Sequence, residues 1–242
     1  MRVKPIVFND FKAEYRELKK ELSPAIKRVF QSGQFLLGME TASFEHELAG
    51  KLGVQYAVTV ANGTEALAIA LLLCDVKPGD EVIVPALTAY PTVIGVQMAH
   101  GVAVVCDVDL ETGLLDPTQL LKLITPKTKA IVPVHLFGQM CQMKEIAVIA
   151  DAHSIAIVED CAQSILATQD GKMAGSFSTV ASLSFYPSKN LGAYGDAGAV
   201  ITNDPILYDR AKKVRQYGQS TRYVHDEFGF NSRIDELQAA VL

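Results

Sequence analysis

No stretch of this 242-residue chain stays apolar for the roughly 18 residues that a bilayer crossing needs. Its start, MRVKPIVFND, lacks the apolar core of a signal peptide. Basic residues are not in excess: 22 Lys plus Arg stand against 27 Asp plus Glu, a net charge of −5. That disfavours a nucleic-acid partner, because phosphate backbones call for a basic face. The four cysteines, Cys74, Cys106, Cys141 and Cys161, form no CxxC pair, and no Cys/His pair has zinc-ligand spacing. They read as small buried apolar residues of a reduced, cytoplasmic protein. Repeats, low-complexity segments and linkers are missing, as are the Walker and GxGxxG spacings. What is there is a globular composition, 49% apolar and 20% charged. It excludes a disordered tail and is enough for a sizeable core.

Two amphipathic helices are predicted first. One covers Phe11–Phe30, with Gly33 as C-cap and Pro24 breaking or restarting it; the other covers Thr41–Leu52, opened by Thr41 or Ser43 and ended by Gly53. Short β-branched runs then alternate with helical stretches: Tyr56–Val60, Glu65–Cys74, Glu81–Val84, Thr92–Met98, Val102–Cys106, Ala130–Val134, Lys144–Ala152 and Ala156–Glu159. This alternation predicts an α/β domain with a mainly parallel sheet, covered on both faces because the runs are apolar throughout. Strands at Thr179–Ser184 and Gly198–Thr202 follow, then helices at Pro205–Gln216 and from Asp235 onward. The last helical pattern stops without a cap, which reads as a truncated chain.

Three segments carry candidate chemistry. Ala61-Asn62-Gly63-Thr64-Glu65 follows a strand and opens a helix. Gly63 lets backbone approach a ligand, the first-turn N–H groups attract an anion, and Thr64 adds a hydroxyl. Alone, the segment reads first as an ordinary N-cap with a glycine beside it. Ile157-Val158-Glu159-Asp160 is an apolar strand ending in two acids, where open parallel sheets bind ligands. Asp160 is placed to meet a cationic nitrogen, although alone it reads first as a cap for a following helix. Lys189, in Ser184-Phe185-Tyr186-Pro187-Ser188-Lys189-Asn190, is a lone lysine among hydroxyls and aromatics, followed by a glycine-rich stretch. Partial burial would depress its pKa toward nucleophilic use; a solvated surface lysine is the plainer alternative. Together, an anion-binding turn, an acid and a late lysine are the parts of a pyridoxal phosphate (PLP) site.

The ordered set VANGTEAL, KPGDEVIVPALTAYPTV, KAIVPVHLFGQ, IVEDCAQS, SFYPSKNLGAYGDAGAV and GFNSRIDELQAAVL resembles the DegT/DnrJ-type sugar nucleotide aminotransferases. That resemblance covers essentially the whole chain. It implies the large domain of a fold-type I PLP enzyme over residues 1–242, with a helical segment to about residue 53 and an α/β core beyond it. It also implies that a smaller C-terminal domain is missing. By resemblance, Lys189 is the Schiff-base lysine and Asp160 the partner of the pyridine nitrogen. Gln163 packs by the cofactor's 3′-oxygen, and Gly63, Thr64 and Ser184 bind its phosphate. Asn231 reaches the phosphate of a neighbouring subunit, which implies a homodimer with shared sites; as a plain loop residue it would instead cap a helix near Ser232. Relatives carry a ring-stacking aromatic where this chain has Ala89, so either Tyr90 takes that part or stacking is weaker. The implied reaction moves an amino group, from L-glutamate by resemblance, to a nucleotide-linked keto sugar in aminosugar biosynthesis. Lys189 argues against the family's dehydratases, which carry His there. Amino acid transamination, a PLP-binding regulator and an inactive truncated product stand as alternatives.

Overall fold

The computed structural model describes residues 6–242. Two helices lead: α1 (Phe11–Ser32) and α2 (Met39–Leu52). The alternating region follows as β1 (Tyr56–Val60), α3 (Gly63–Leu73), β2 (Glu81–Pro85), α4 (Pro91–Met98), β3 (Val102–Cys106), α5 (Pro117–Leu123), β4 (Thr128–Ile131), α6 (Met143–His153) and β5 (Ala156–Asp160). A hairpin of β6 (Thr168–Gln169) and β7 (Lys172–Met173) leads to β8 (Val180–Ser184), β9 (Gly198–Thr202) and α7 (Pro205–Val214). The short pair β10 (Gln219–Thr221) and β11 (Val224–His225) precedes α8 (Glu236–Ala239). No helix among the described residues is long and apolar enough to cross a membrane.

Seven strands form one sheet in the order β1-β9-β8-β5-β4-β2-β3. The pairs from β8 through β3 are parallel, and β9 runs antiparallel to both its neighbours. The sheet carries an apolar cluster on each face. One is built around Leu71, Ile83 and Ile131, the other around Phe44, Leu183 and Phe185. Helix α3 anchors the turn Asn62-Gly63-Thr64 in the core. Its run Ala66–Leu71 is buried on every side, against β8, β9 and α4. A helix apolar all round belongs inside, and here its N-terminus is left at the ends of the central strands.

Several expectations need correction. Pro24 neither breaks nor restarts α1, which runs through it. Pro24 is exposed, so the carbonyl it frees faces water, while Leu22, Ala25 and Val29 keep the helix docked. The helix expected from Asp235 onward is confined to Glu236–Ala239. Helix α5 escaped the periodicity reading because it is two turns long; Asp116 caps it and Pro117 opens it.

Helix α2 begins before Thr41, and neither Thr41 nor Ser43 caps it. The cap comes from Glu236, 198 positions away. Its carboxylate accepts from the N–H groups of Gly38 (2.8 Å), Glu40 (3.0 Å) and Thr41 (3.0 Å), and from the Thr41 hydroxyl. Gly38 has to lack a side chain, since a Cβ there would lie 2.7 Å from Glu236 Oε2. Glu236 is 3% exposed, so the α2 N-terminus and its partial positive charge are its main compensation. Glu236→Ala is expected to cost about 2–4 kcal/mol, because several buried donors lose a charged acceptor. A urea midpoint within error of the parent would show that water replaces the carboxylate without loss.

Candidate functional site

Where β5 and β8 end and α3 and α4 begin, the protein encloses a cavity of about 310 Å3. That is the low end of the size of ligand pockets, about 300–1,000 Å3. Gly63, Thr64, Asp160, Gln163, Ser184 and Lys189 all line it, although they lie far apart in the sequence.

One end is built by the start of α3. Asn62 caps the helix: its Oδ1 accepts the Glu65 N–H at 2.9 Å, and its carbonyl accepts from Ala66. The N–H groups of Gly63 and Thr64, first in the helix, have no intrahelical acceptor and are free for an anion. Gly63 sits hard against β8, and a Cβ on it would meet Ser184 Cβ at 2.5 Å and Ser184 Oγ at 2.8 Å. Backbone N–H groups and two hydroxyls, on Thr64 and Ser184, thus border one corner.

Asp160 occupies another part of the wall. It is 6% exposed and makes no salt bridge among the described residues. No helix follows β5, which disposes of the capping reading. Instead Oδ1 accepts the Ala162 N–H at 3.0 Å, and Oδ2 accepts the Thr92 hydroxyl at 3.1 Å. Burial pushes its pKa above the ordinary carboxylate value; the two hydrogen bonds and the Lys189 charge pull it back in part. Lys189 is half-buried in the turn after β8, its N–H bonded to the Tyr186 carbonyl at 2.8 Å. Burial lowers its pKa, against the pull of Asp160. An amine that loses its proton more easily is a better nucleophile and base.

Gln163 is oriented by its surroundings. Its Oε1 accepts the N–H of Phe137 at 2.9 Å, which leaves Nε2 as a donor. Phe137 holds that N–H in place with a left-handed φ of 57°.

Sequence reasoning missed a buried pair behind this wall. His135 Nε2 lies 2.9 Å from Glu159 Oε2, and His135 Nδ1 accepts the Cys141 N–H at 3.2 Å. Nδ1 is therefore bare, and Nε2 carries the proton that Glu159 accepts. Glu159 also gathers the N–H groups of Gly175, Phe177 and Ser178 and the Ser178 hydroxyl. Burial works upward on its pKa, but the hydrogen bonds and His135 outweigh it and hold it below the ordinary value. The pair ties the loop after β4 to the segment before β8, on either side of Asp160. The cysteines are free, and burial pushes Cys74 and Cys141 up to about 12 and Cys106 up to about 11.

Two expected site residues lie elsewhere. Tyr90 is 69% exposed just before α4 and does not line the cavity, whereas Ala89 does. Tyr186 is the aromatic in the lining. Asn231 is also exposed and outside the cavity of its own chain. Its backbone bridges to Gln216, and its side-chain oxygen accepts from Arg233. No helix begins at Ser232, so the helix-cap reading fails.

The model of the DegT/DnrJ/EryC1/StrS aminotransferase family matches residues 16–242. Among similar proteins, the dTDP-3-amino-3,4,6-trideoxy-alpha-D-glucose transaminase of Streptomyces venezuelae is 44% identical over 98% of this chain and 62% of its own length. A pleiotropic regulatory protein of Geobacillus stearothermophilus is 42% identical over 96% of this chain and 63% of its own. The crystal structure of S. venezuelae DesV in complex with a ketimine intermediate superposes with a TM-score of 0.96, covering 99% of this chain and 64% of that one. The chain thus spans less than two thirds of the length of these proteins.

The buried charge of Asp160 has a measurable consequence. Its pKa is higher folded than unfolded, so the folded state holds the proton over a window above the ordinary carboxylate value. Stability falls as pH rises through that window. Without bound ligand, Asp160→Asn is expected to melt above the parent at neutral pH, and the gap should close on acidification. A variant that melts below the parent at every pH would show that the charge is not a burden.

Proposed function

We propose, from the premise that this chain belongs to the DegT/DnrJ/EryC1/StrS aminotransferase family, that it is the cofactor domain of a PLP-dependent enzyme. Its reaction moves an amino group from an amino acid to the keto carbon of a nucleotide-linked sugar. The observation that carries the reading is the convergence of Gly63, Thr64, Asp160 and Lys189 on one cavity. The residues fit the cofactor. Gly63 leaves a cradle that a Cβ would fill. Asp160 is a buried acid facing no bonded cation, and Lys189 is a half-buried amine on the same wall.

When bound, the cofactor supplies an aldehyde carbon that takes up the amino group and a ring that withdraws electrons from the reacting carbon. The protein does the rest. Gly63 and Thr64 bind the phosphate through N–H groups, with hydroxyls from Thr64 and Ser184. Asp160 holds a proton on the ring nitrogen, which keeps the ring electron-poor. Gln163 turns its Nε2 donor toward the ring's 3′-oxygen. Lys189 would hold the cofactor covalently and, as a half-buried amine of lowered pKa, would carry the proton taken from the donor's α-carbon. L-Glutamate is the proposed donor, leaving as 2-oxoglutarate.

A regulator that binds the cofactor without turnover is the competing reading, favoured by the name of the Geobacillus relative. An inactive product is less favoured, because the site residues meet within this one chain. The deciding assay gives full-length protein glutamate and a panel of nucleotide-linked 3-keto and 4-keto 6-deoxy sugars. Cofactor uptake without amino transfer to any of them would support the regulator. In Lys189→Ala, both the absorbance of covalently held cofactor and turnover should be lost, turnover by at least the roughly 10²–10⁴-fold that proton transfer contributes. Normal turnover in that variant would sink the assignment of Lys189.

Assembly as a homodimer with shared sites is part of the proposal. Its support is that Asn231 is exposed and does not line its own cavity, hence is available to another chain. Mixing Asn231→Ala with Lys189→Ala protein should then restore activity, since one site of each mixed dimer carries both defects and the other neither. No recovery, despite proven subunit exchange, would mean that each chain completes its own site.

A further inference from the structure

Thr88 and Thr92 line the cavity and have no part in the reading above. Thr92, in the first turn of α4, is 2% exposed. A helical threonine usually turns its hydroxyl back onto a carbonyl of the preceding turn. Here the partners are side chains. The hydroxyl donates to Asp160 Oδ2 at 3.1 Å and lies 2.8 Å from the Thr88 hydroxyl.

The order of protons in this chain follows from charge. An ionised carboxylate has none to give, and a hydroxyl has one. The Thr92 proton therefore points at Asp160, its oxygen must accept, and Thr88 is the donor behind it. Each bond polarises the next, which strengthens donation to Asp160. The other oxygen, Oδ1, is held by the Ala162 N–H at 3.0 Å. With one bond from α4 and one from the segment after β5, the carboxylate cannot rotate without breaking one of them. Thr92 is buried, so its hydroxyl is held by these two side-chain partners rather than by water.

We infer that Thr88 and Thr92 are positioning residues: a two-hydroxyl relay that holds Asp160 ionised and in one orientation toward a cationic ring nitrogen. The inference rests on the proposed function. It makes the start of α4 part of the control of ring protonation.

The titratable groups facing Asp160 are Lys189 and His135, with Glu159 behind His135 and the thiols of Cys141 and Cys161 beneath. Burial holds Cys141 at about 12 and Cys161 well above its ordinary value, so neither loses its proton near neutrality. His135 is locked with its proton on Nε2 by the Cys141 N–H.

The test uses full-length protein loaded with pyridoxal 5′-phosphate labelled with ¹⁵N in its ring, whose nitrogen resonance reports protonation directly. In the parent the ring should stay protonated across neutral pH. In Thr92→Val, Asp160 becomes more basic and less well aimed, so the resonance should move toward the unprotonated position. The cofactor dissociation constant should rise about tenfold, as for loss of a hydrogen bond to a charged group. Thr92→Ser should restore both readings, and Thr88→Val should shift them in the same direction by less. A packing role alone would lower melting of the ligand-free protein and leave the ring resonance where it was. An unmoved resonance in Thr92→Val, with the parent fully loaded, overturns the inference and spares the proposed function. A parent that takes up no cofactor overturns both. If Thr92→Val does not fold, Thr88→Val, at the half-buried outer end of the relay, decides by the same criterion.

Discussion

An acidic side chain buried without a counter-ion opposes folding, and the site is organised around keeping one in place. Asp160 lies at the end of a strand in the middle of the sheet, and its backbone is tied twice to the segment after β4: its N–H donates to the Pro133 carbonyl, and its carbonyl accepts from the His135 N–H; on the other side it is paired with Ser182 of β8. The strand cannot withdraw the acid toward solvent without tearing the ladder. Desolvation that would drive off the charge is met chiefly by two short-range donors, Ala162 and Thr92, with the Lys189 charge helping from beyond salt-bridge distance. Compensation is therefore partial, and the acid retains an affinity for a positive group brought to it. A salt bridge inside the protein would have satisfied the charge and removed that affinity.

The same logic separates Asp160 from its neighbour. Alternation along β5 sends Glu159 to the opposite face, where its carboxylate is satisfied by five donors, including His135. Adjacent acids in one strand thus have opposite pKa directions, one below and one above the ordinary range. The satisfied one holds loops together, and the unsatisfied one faces the cavity. Divergence of this kind between neighbouring titratable groups is a common mark of assigned roles.

Much of the scaffold was legible because its signals are local. The strands Tyr56–Val60, Val102–Cys106 and Gly198–Thr202 follow from β-branched runs alone. The glycine ahead of α3 and the acids ending β5 announce themselves by position. Interactions that join distant segments had no such signal. Nothing near Glu236 says that it caps a helix 198 positions earlier, and nothing near Glu159 says that a histidine 24 positions earlier reaches it. The relay from Thr88 is invisible because TAYPT reads as a turn before a helix, and only the placement of β5 beside α4 gives the hydroxyls a target. Tyr90 lies outside the cavity for a converse reason: sequence adjacency to Ala89 says nothing about which side of the backbone a ring leaves from.

Charge distribution across the cavity also dictates which way round a ligand enters. Partial positive charge gathers at the free N–H groups of α3, and the acidic side chain of Asp160 sits on the wall beyond. A planar ring carrying an anion at one edge and a cation at another satisfies both ends at once. Reversed, it would set its anion against a buried carboxylate, where low local dielectric makes repulsion costly. Lys189 lines the same cavity, so under the proposed function its amine serves a ring held in that one orientation. Binding polarity and chemical competence are therefore consequences of a single arrangement: a helix start on one side, an under-compensated acid on the other, and an amine whose proton is made easier to lose by the burial they share.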